Sequence, residues 1–245
     1  MESSGIHISL RAEELFRLGG FPVTNALLLS TLVMVILAAL AAIGRRRLVL
    51  VPGYIQNTFE TAIEGALGLM EGILGSRERA EKYLPFVGTV FLFILAANWF
   101  GLLPGIGSVI FETAEGRVPL LRSPGSDLNF TLALAVISVV TVNILGIAVI
   151  GFVKHAGKFF NFRGPIDFFI GILELISEVA KLISFSFRLF GNIFAGEILL
   201  TIIAFLTPYF IPLPFLFLET FVGFIQAFVF AMLSLVFVAT AIAHE

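Results

Sequence analysis

Six ionisable side chains and two amides lie in the last two apolar segments of this 245-residue chain. An ionisable group inside a membrane-spanning helix costs about 2.5 to 3.5 kcal/mol on insertion scales, and such groups usually mark an ion path or an ion pair. Six of them exceed what a passive membrane anchor would need. The eight residues are Glu174, Glu178, Lys181, Arg188, Asn192, Glu197, Glu219 and Gln226.

Arg188 lies at the centre of this group, in the apolar stretch "FSFRLFGNIFAGE". Its guanidinium cannot lose its proton in a protein, so it must be paired or used. No carboxylate lies three or four residues away on the same helix. Glu197 is about 180° around the helix and about 13 Å along it, which disfavours a direct pair. Residues of one polar or small stripe share the face of Arg188: Lys181, Ser184, Gly191, Asn192 and Ala195.

This stripe predicts that Arg188 faces another protein surface, because Gly191 and Ala195 leave the backbone open to a closely approaching helix. The simpler interpretation is that the charged residues pair with one another inside a helix bundle. For Arg188 that interpretation is weak, since its own helix offers no carboxylate one turn away.

The composition assigns the chain to the integral membrane proteins, because 58% of its residues are hydrophobic and only 13% are charged. A net charge of -2 excludes the basic footprint of a nucleic-acid-binding protein. Cysteine is absent, which excludes disulfides and thiolate metal sites, and the three histidines lie far apart in sequence. We therefore expect neither a metal site nor a cofactor. The N-terminus lacks the basic and apolar regions of a signal peptide.

Hydropathy predicts an all-α polytopic protein with about five transmembrane helices, the last two long and strongly tilted. As one helix, the fourth would be roughly 60 Å long, twice the bilayer thickness. It must therefore form two short spans or cross with a steep tilt. The predicted ranges are 24–43, 84–103, 128–153, 167–206 and 215–243, after an extracytoplasmic segment at 1–23.

A further helix is predicted at 54–74, on the cytoplasmic side of the membrane. Glu60, Glu64 and Glu71 fall on one acidic stripe of this otherwise apolar segment. We expect it to lie against the membrane face or against other helices; a docking surface for a partner is the alternative.

Basic residues predict the orientation, because they collect on the cytoplasmic side of inserted helices. The segments after the first and third spans hold nine lysines and arginines, whereas the opposite segments hold four: Arg11, Arg17, Arg117 and Arg122. This places the N-terminus outside and the C-terminus in the cytoplasm. Glu174, Glu178 and Lys181 then lie toward the cytoplasm, and Glu197 and Glu219 toward the outside. Arg188 separates two half-paths that open to opposite sides.

The motif "LISFSFRLFGNIFAGEILL", followed about 30 residues later by "GFIQAFVFAML", resembles subunit a of the rotary F-type ATP synthase. The resemblance extends to "NWFGLLPG" and "DLNFTLALA". It implies a non-catalytic stator that lies against a ring of c subunits and works with b-type peripheral stalk subunits and a soluble ATPase sector. Arg188 matches the family's essential arginine, which faces the ring carboxylate. Asn192, Glu197, Glu219 and Gln226 are assigned to the arginine neighbourhood and the outer path, and Glu174, Glu178 and Lys181 to the cytoplasmic path.

The resemblance alone would allow a bacterial plasma membrane or a thylakoid membrane, and of the two we expect the bacterial plasma membrane. One departure concerns Glu219, where many bacterial members have a histidine. Two carboxylates held close together raise the proton affinity of one of them, so Glu197 and Glu219 are predicted to form a proton-relaying pair.

Two other classes of function are weighed against this one. A stand-alone ion-coupled secondary transporter would use the acidic residues as its ion site, and would be expected to have broken helices at the midplane. An intramembrane enzyme is disfavoured because no zinc-binding or nucleophile motif occurs. No phosphate-binding P-loop occurs either, so partner subunits must handle ATP.

Overall fold

The computed structural model describes residues 12–103, 105–113, 116–159, 164–207 and 210–242. This part of the chain forms seven helices, two antiparallel β-hairpins and a 3₁₀ turn at Pro124–Ser126. The strands are β1 (Glu14–Leu18), β2 (Phe21–Thr24), β3 (Ile110–Thr113) and β4 (Gly116–Pro119). The helices are α1 (Asn25–Arg46), α2 (Tyr54–Leu74), α3 (Arg77–Gly101), α4 (Leu128–Ile150), α5 (Phe152–Phe159), α6 (Pro165–Leu206) and α7 (Pro212–Ile242).

Five of these helices, α1, α3, α4, α6 and α7, are long and apolar enough to cross a membrane. The prediction of an all-α polytopic membrane protein with about five spans is therefore confirmed. The hairpins were not predicted. In the first hairpin, Gly19 and Gly20 both have positive φ and form the two-residue turn between β1 and β2.

Helix α6 is one unbroken helix of 42 residues, about 63 Å long at 1.5 Å per residue. The alternative of two short spans is therefore wrong. Gly191 and Asn192 lie within regular helix and introduce no break. A helix twice as long as the bilayer is thick cannot stand upright within it, so part of α6 must run obliquely or along the interface.

Several helix boundaries differ from the predicted ranges for identifiable reasons. Helix α3 begins at Arg77, before the predicted start at residue 84, because the Ser76 hydroxyl accepts a hydrogen bond from the Arg79 backbone N–H and caps the helix. Helix α4 ends before Gly151, whose φ is 88°. Helix α7 begins at Pro212, because the first turn of a helix tolerates proline.

Some predicted features lie outside the described residues. These are the first 11 residues of the N-terminal segment, including Arg11, the prolines at 104 and 208, the arginine at 163, and Ala243 at the end of the last predicted span.

Two clusters of buried apolar side chains hold the long helices together. One cluster joins α2, α3, α4 and α7, and includes Leu67 and Met70 of α2 packed with Tyr83 of α3. The second joins α3, α4, α6 and α7 around Leu189 and Phe230. The C-terminal half of α2 therefore packs Leu67, Met70 and Leu74 against the bundle. Glu60, Glu64 and Glu71 are exposed, and so are apolar side chains of α2 such as Phe59 and Ile63.

The bundle has two distinct ends. We call the end that carries both hairpins, Gly101 of α3 and the first turns of α4 and α7 the hairpin end. The opposite end, where α2 turns into α3, is the α2 end. Residues Glu174 to Lys181 of α6 lie in the half of the bundle nearer the α2 end, and Glu197 and Glu219 lie nearer the hairpin end.

An exposed ion pair closes the turn between α2 and α3. Arg77 Nη1 and Nη2 donate to the two carboxylate oxygens of Glu64 at 2.8 and 2.6 Å, and Arg77 Nε donates to Glu81 at 3.0 Å. The hydrogen bonds from Arg77 lower the pKa of the Glu64 carboxyl, against a smaller opposing effect of desolvation. A lowered pKa means that the contact stabilises the turn at neutral pH and is lost as the pH falls through the lowered value.

We predict that Arg77→Gln increases hydrogen exchange in the C-terminal half of α2 at pH 7, because the clamp on Glu64 is lost. Exchange is measured by mass spectrometry, relative to intrinsic rates. Arg46→Gln, which removes an exposed cation of α1, is the matched control and should leave exchange in α2 unchanged. Equal exchange in wild type and Arg77→Gln would show that the ion pair does not hold the turn. Because the pair is exposed, the effect should also shrink in high salt.

Candidate functional site

Arg188 lies half-buried on α6, and its Nη2 donates a hydrogen bond to Ser184 Oγ at 2.9 Å, one turn earlier. None of the ion pairs among the described residues includes Arg188. The neighbours that share its stripe, Ser184, Asn192 and Ala195, are exposed. Thus, within the described part of the chain, the guanidinium has a hydroxyl partner but no counter-charge.

The surface around Arg188 is open. A Cβ placed on Gly191 would meet no described atom within 4 Å, and Gly191 is itself exposed. At Gly191 the stripe of small and polar residues is therefore not used for packing within this part of the chain. It forms a shallow face on which another helix could approach the backbone of α6.

Asn192 and Gln226 connect α6 to α7 one turn beyond Arg188. Asn192 Nδ2 donates to Gln226 Oε1 at 2.6 Å. The Gln226 side chain is buried, and its Nε2 has no hydrogen-bond partner among the described residues. This bond connects the face of α6 that carries Arg188 to a buried side chain of α7, and so fixes that face relative to the interior of the bundle.

Glu197 is paired with a residue that sequence reasoning did not assign to the site. Arg122 Nε lies 3.4 Å from Glu197 Oε1, and the arginine side chain is only 8% exposed. In the sequence analysis Arg122 served only as one of the basic residues that predict the orientation. Arg122 and Glu197 are far apart in sequence, so no local pattern predicts their contact. The only local indication is that Arg122 comes just before the Ser-Pro-Gly-Ser-Asp turn into α4.

Glu219 is buried, with 6% exposure, and lies against the backbone of α6. A Cβ on Gly196 would come within 1.9 Å of Glu219 Oε2, so only glycine leaves room for the carboxyl group at its present place. Glu219 makes no hydrogen bond or ion pair that involves another described residue. Glu197 is the next residue after Gly196, so the two predicted carboxylates meet the same turn of α6.

On the other side of Arg188, Glu178 and Lys181 form an ion pair. Lys181 Nζ lies 2.6 Å from Glu178 Oε1, Asn143 Nδ2 donates to Glu178 Oε2 at 3.3 Å, and Lys181 Nζ lies 5.0 Å from the centre of the Phe237 ring. Glu174, one turn earlier, is half-buried and takes part in no ion pair among the described residues.

The four glutamates of α6 and α7 thus fall into two kinds. Glu178 and Glu197 each have a cation, whereas Glu174 and Glu219 have no ion-pair partner in the part of the chain that the structure describes. One carboxyl of each kind lies on each side of Arg188. Chemically, an unpaired carboxyl can take up and release a proton, whereas an arginine cannot release its own.

The hairpin half of the bundle also contains buried polar atoms without a partner among the described residues: Asn98 Oδ1, Ser123 Oγ, Glu197 Oε2 and Gln226 Nε2. Buried polar groups are usually satisfied by hydrogen bonds, so this region is polar enough to hold water or a transferred proton. No group of three or more His, Asp or Glu side chains that could hold a metal ion occurs in the described ranges.

Comparison with known proteins agrees with this arrangement. A family model described as ATP synthase A chain matches residues 27–239. The ATP synthase subunit a of Campylobacter jejuni strain 81-176 is 37% identical over 217 residues, which cover 87% of this chain and 88% of the relative. The subunit a of Moorella thermoacetica is 34% identical over 230 residues, 94% of this chain and 96% of the relative. The chain, a multi-pass membrane protein with a cation set among carboxylates on its longest helix, therefore belongs to the ATP synthase A chain family.

Proposed function

We propose that this chain is the proton-translocating stator subunit of the membrane sector of an ATP synthase. The observation that carries the proposal is the position of Arg188, which lies on an open polar face of α6 without a counter-charge among the described residues, between two unpaired carboxyls. The counter-charge is then supplied by another subunit. The family supports a ring of c subunits as that partner, with one carboxylate on each passing subunit.

Electrostatics explains how Arg188 would act on the ring. At a separation of about 4 Å and an effective dielectric of 20, two opposite unit charges attract by about 4 kcal/mol. This attraction favours the ionised form of a ring carboxylate while it passes the guanidinium. Because Arg188 keeps its own proton, it cannot relay one, and a proton must leave and re-enter the ring on different sides of it.

Two offset paths would serve those two sides. At the hairpin end, Glu219, Glu197 and the Asn192–Gln226 pair line one path, together with the buried polar atoms near Asn98. At the α2 end, Glu174 and the Glu178–Lys181 pair line the other. In the predicted orientation the hairpin end faces the outside, and the α2 end and the C-terminus face the cytoplasm of a bacterial cell.

The remaining parts of the proposal concern partners and chemistry. The chain would be non-catalytic: ATP would be handled by a soluble ATPase sector, and b-type peripheral stalk subunits would hold the stator in place. A stand-alone secondary transporter fits less well, because transporter ion sites are typically formed at broken helices, whereas α6 runs unbroken through Gly191 and Asn192.

The central test is Arg188→Ala in the intact complex. Coupled ATP synthesis in membrane vesicles should be abolished, because nothing then holds the ring carboxylate ionised, while the amount of the subunit in the membrane stays normal. Passive proton leak, followed with a pH-sensitive dye, should be unchanged or increased. The matched control is Arg117→Gln, which removes an exposed cation of the hairpin end. Retained coupled synthesis in Arg188→Ala would contradict the proposed function.

The role of Glu219 is tested with Glu219→Gln. The amide keeps the volume of the side chain but cannot exchange a proton, so ATP-driven proton pumping should fall at least about tenfold. The rate is measured from pH 6 to pH 8 in inverted vesicles. Wild-type rates across that range would show that Glu219 relays no protons, and that the proposed pair with Glu197 does not exist.

Gly196→Ala tests the position of the Glu219 carboxyl without changing its chemistry. The new methyl group must displace the carboxyl group, which is the flexible end of its side chain, so the helix packing should survive. Proton pumping should fall while the subunit remains in the membrane at its normal level. The control is Gly88→Ala in α3, where a Cβ makes only an ordinary contact with Leu84 at 3.9 Å. Equal pumping by both variants would show that the position of the carboxyl is unimportant.

A further inference from the structure

The segment between the second hairpin and α4 is folded into the bundle. Residues Arg122 to Asp127 are all buried, although the sequence is that of a polar loop. The fit is tight: a Cβ on Gly101 of α3 would lie 2.6 Å from Ser123, and one on Gly125 would lie 3.0 Å from Asn98 Oδ1 and 3.1 Å from Ile193 of α6. The segment is thus wedged between α3 and α6, with backbone against helix on both sides.

Arg122 is the cation that this segment brings to α6. Its Nε donates to Ser126 Oγ at 3.2 Å, a bond within the same segment, and lies 3.4 Å from Glu197 Oε1. Ser126 is itself fully buried, and its hydroxyl donates to the Ser123 backbone carbonyl at 2.9 Å. The guanidinium is therefore held by a rigid support, and its charge is directed at one oxygen of Glu197.

The two oxygens of Glu197 have different surroundings. Oε1 faces Arg122, whereas Oε2 is buried without a hydrogen-bond partner among the described residues. We propose that Arg122 is a positioning residue, which holds Glu197 by Oε1 so that Oε2 is the atom presented to the proton path. The inference rests on the proposed function, because it assigns a role within the same path.

The other charged groups near this pair do not replace Arg122. From α7, Glu219 brings a like charge. At the start of α4, the Asp127 carboxylate accepts the Asn129 backbone N–H at 3.1 Å and caps the helix. From α3 the neighbouring polar side chain is the neutral Asn98, whose Nδ2 donates to the Gly223 carbonyl at 3.1 Å. Removing the charge of Arg122 would leave two carboxyls at the same turn of α6, that of Glu197 from α6 and that of Glu219 from α7.

The test compares Arg122→Gln with Arg122→Lys and with the matched control Arg117→Gln, which removes an exposed arginine from the same end of the bundle. ATP-driven proton pumping is measured in inverted vesicles from pH 6 to pH 9, per complex present. Arg122→Gln should pump about fivefold more slowly or worse. Arg122→Lys should restore most of the rate, and Arg117→Gln should match wild type.

A double-mutant cycle separates positioning from a purely structural role. If Arg122 acts through Glu197, the double variant Arg122→Gln/Glu197→Gln should pump no more slowly than Glu197→Gln alone. Independent effects, seen as a loss in the double variant equal to the product of the two single losses, would overturn the inference. An unchanged rate and pH profile in Arg122→Gln would overturn it as well.

Two further variants keep the result interpretable. Should Arg122→Gln lower the amount of the subunit in the membrane, Ser126→Ala keeps the charge of Arg122 and removes the hydroxyl that supports its guanidinium, together with the bond of that hydroxyl to the Ser123 carbonyl. Ser126→Ala should also slow pumping per complex present, and a wild-type rate would count against the inference. Arg188→Ala is assayed in the same vesicles. If it still pumps, the proposed function fails; if it is inactive while Arg122→Gln behaves as wild type, only the role of Arg122 fails.

Discussion

A charge in an apolar bundle is expensive unless an opposite charge or a polar group accompanies it, and this constraint organises the site. Two of the four glutamates on α6 and α7 satisfy it locally, Glu178 with Lys181 and Glu197 with Arg122. Among the described residues, the polar group that accompanies the charge of Arg188 is a hydroxyl, not an opposite charge. The bundle thus carries its structural charges as pairs, and keeps an incompletely matched cation on its open face, where a partner can complete it.

The second requirement is close packing, and three of the described glycines that allow it are Gly196, Gly101 and Gly125. Gly196 gives the Glu219 carboxyl its place against α6, Gly101 lets the segment before α4 reach α3, and Gly125 lets that segment reach α6. These contacts bring the charged side chains from three separate stretches of sequence to one end of the bundle. The geometry of these charged side chains therefore depends as much on the absence of a side chain at these three glycine positions as on the charges themselves.

The sequence predicts those features of this protein that are encoded locally. The five spans and the polar face of α6 follow from hydropathy and helical periodicity, because both are properties of one helix at a time. The contact of Arg122 with Glu197, 75 residues later in the sequence, depends on the packing of three elements and has no local signature. The first hairpin could have been predicted from the "GG" between apolar residues. This short turn pattern is easily overlooked, because it lies next to a strongly apolar helix.

The continuity of α6 has a consequence for how such a chain can vary. Because one uninterrupted helix carries the residues from Glu174 to Glu197, their spacing in sequence fixes both their separation and their angular register. One residue inserted or deleted anywhere between them would rotate one part of the set against the other by about 100° and change its depth by about 1.5 Å. Substitutions can be absorbed one side chain at a time, whereas changes of length cannot, so we expect insertions and deletions to be tolerated only in the loops outside this helix.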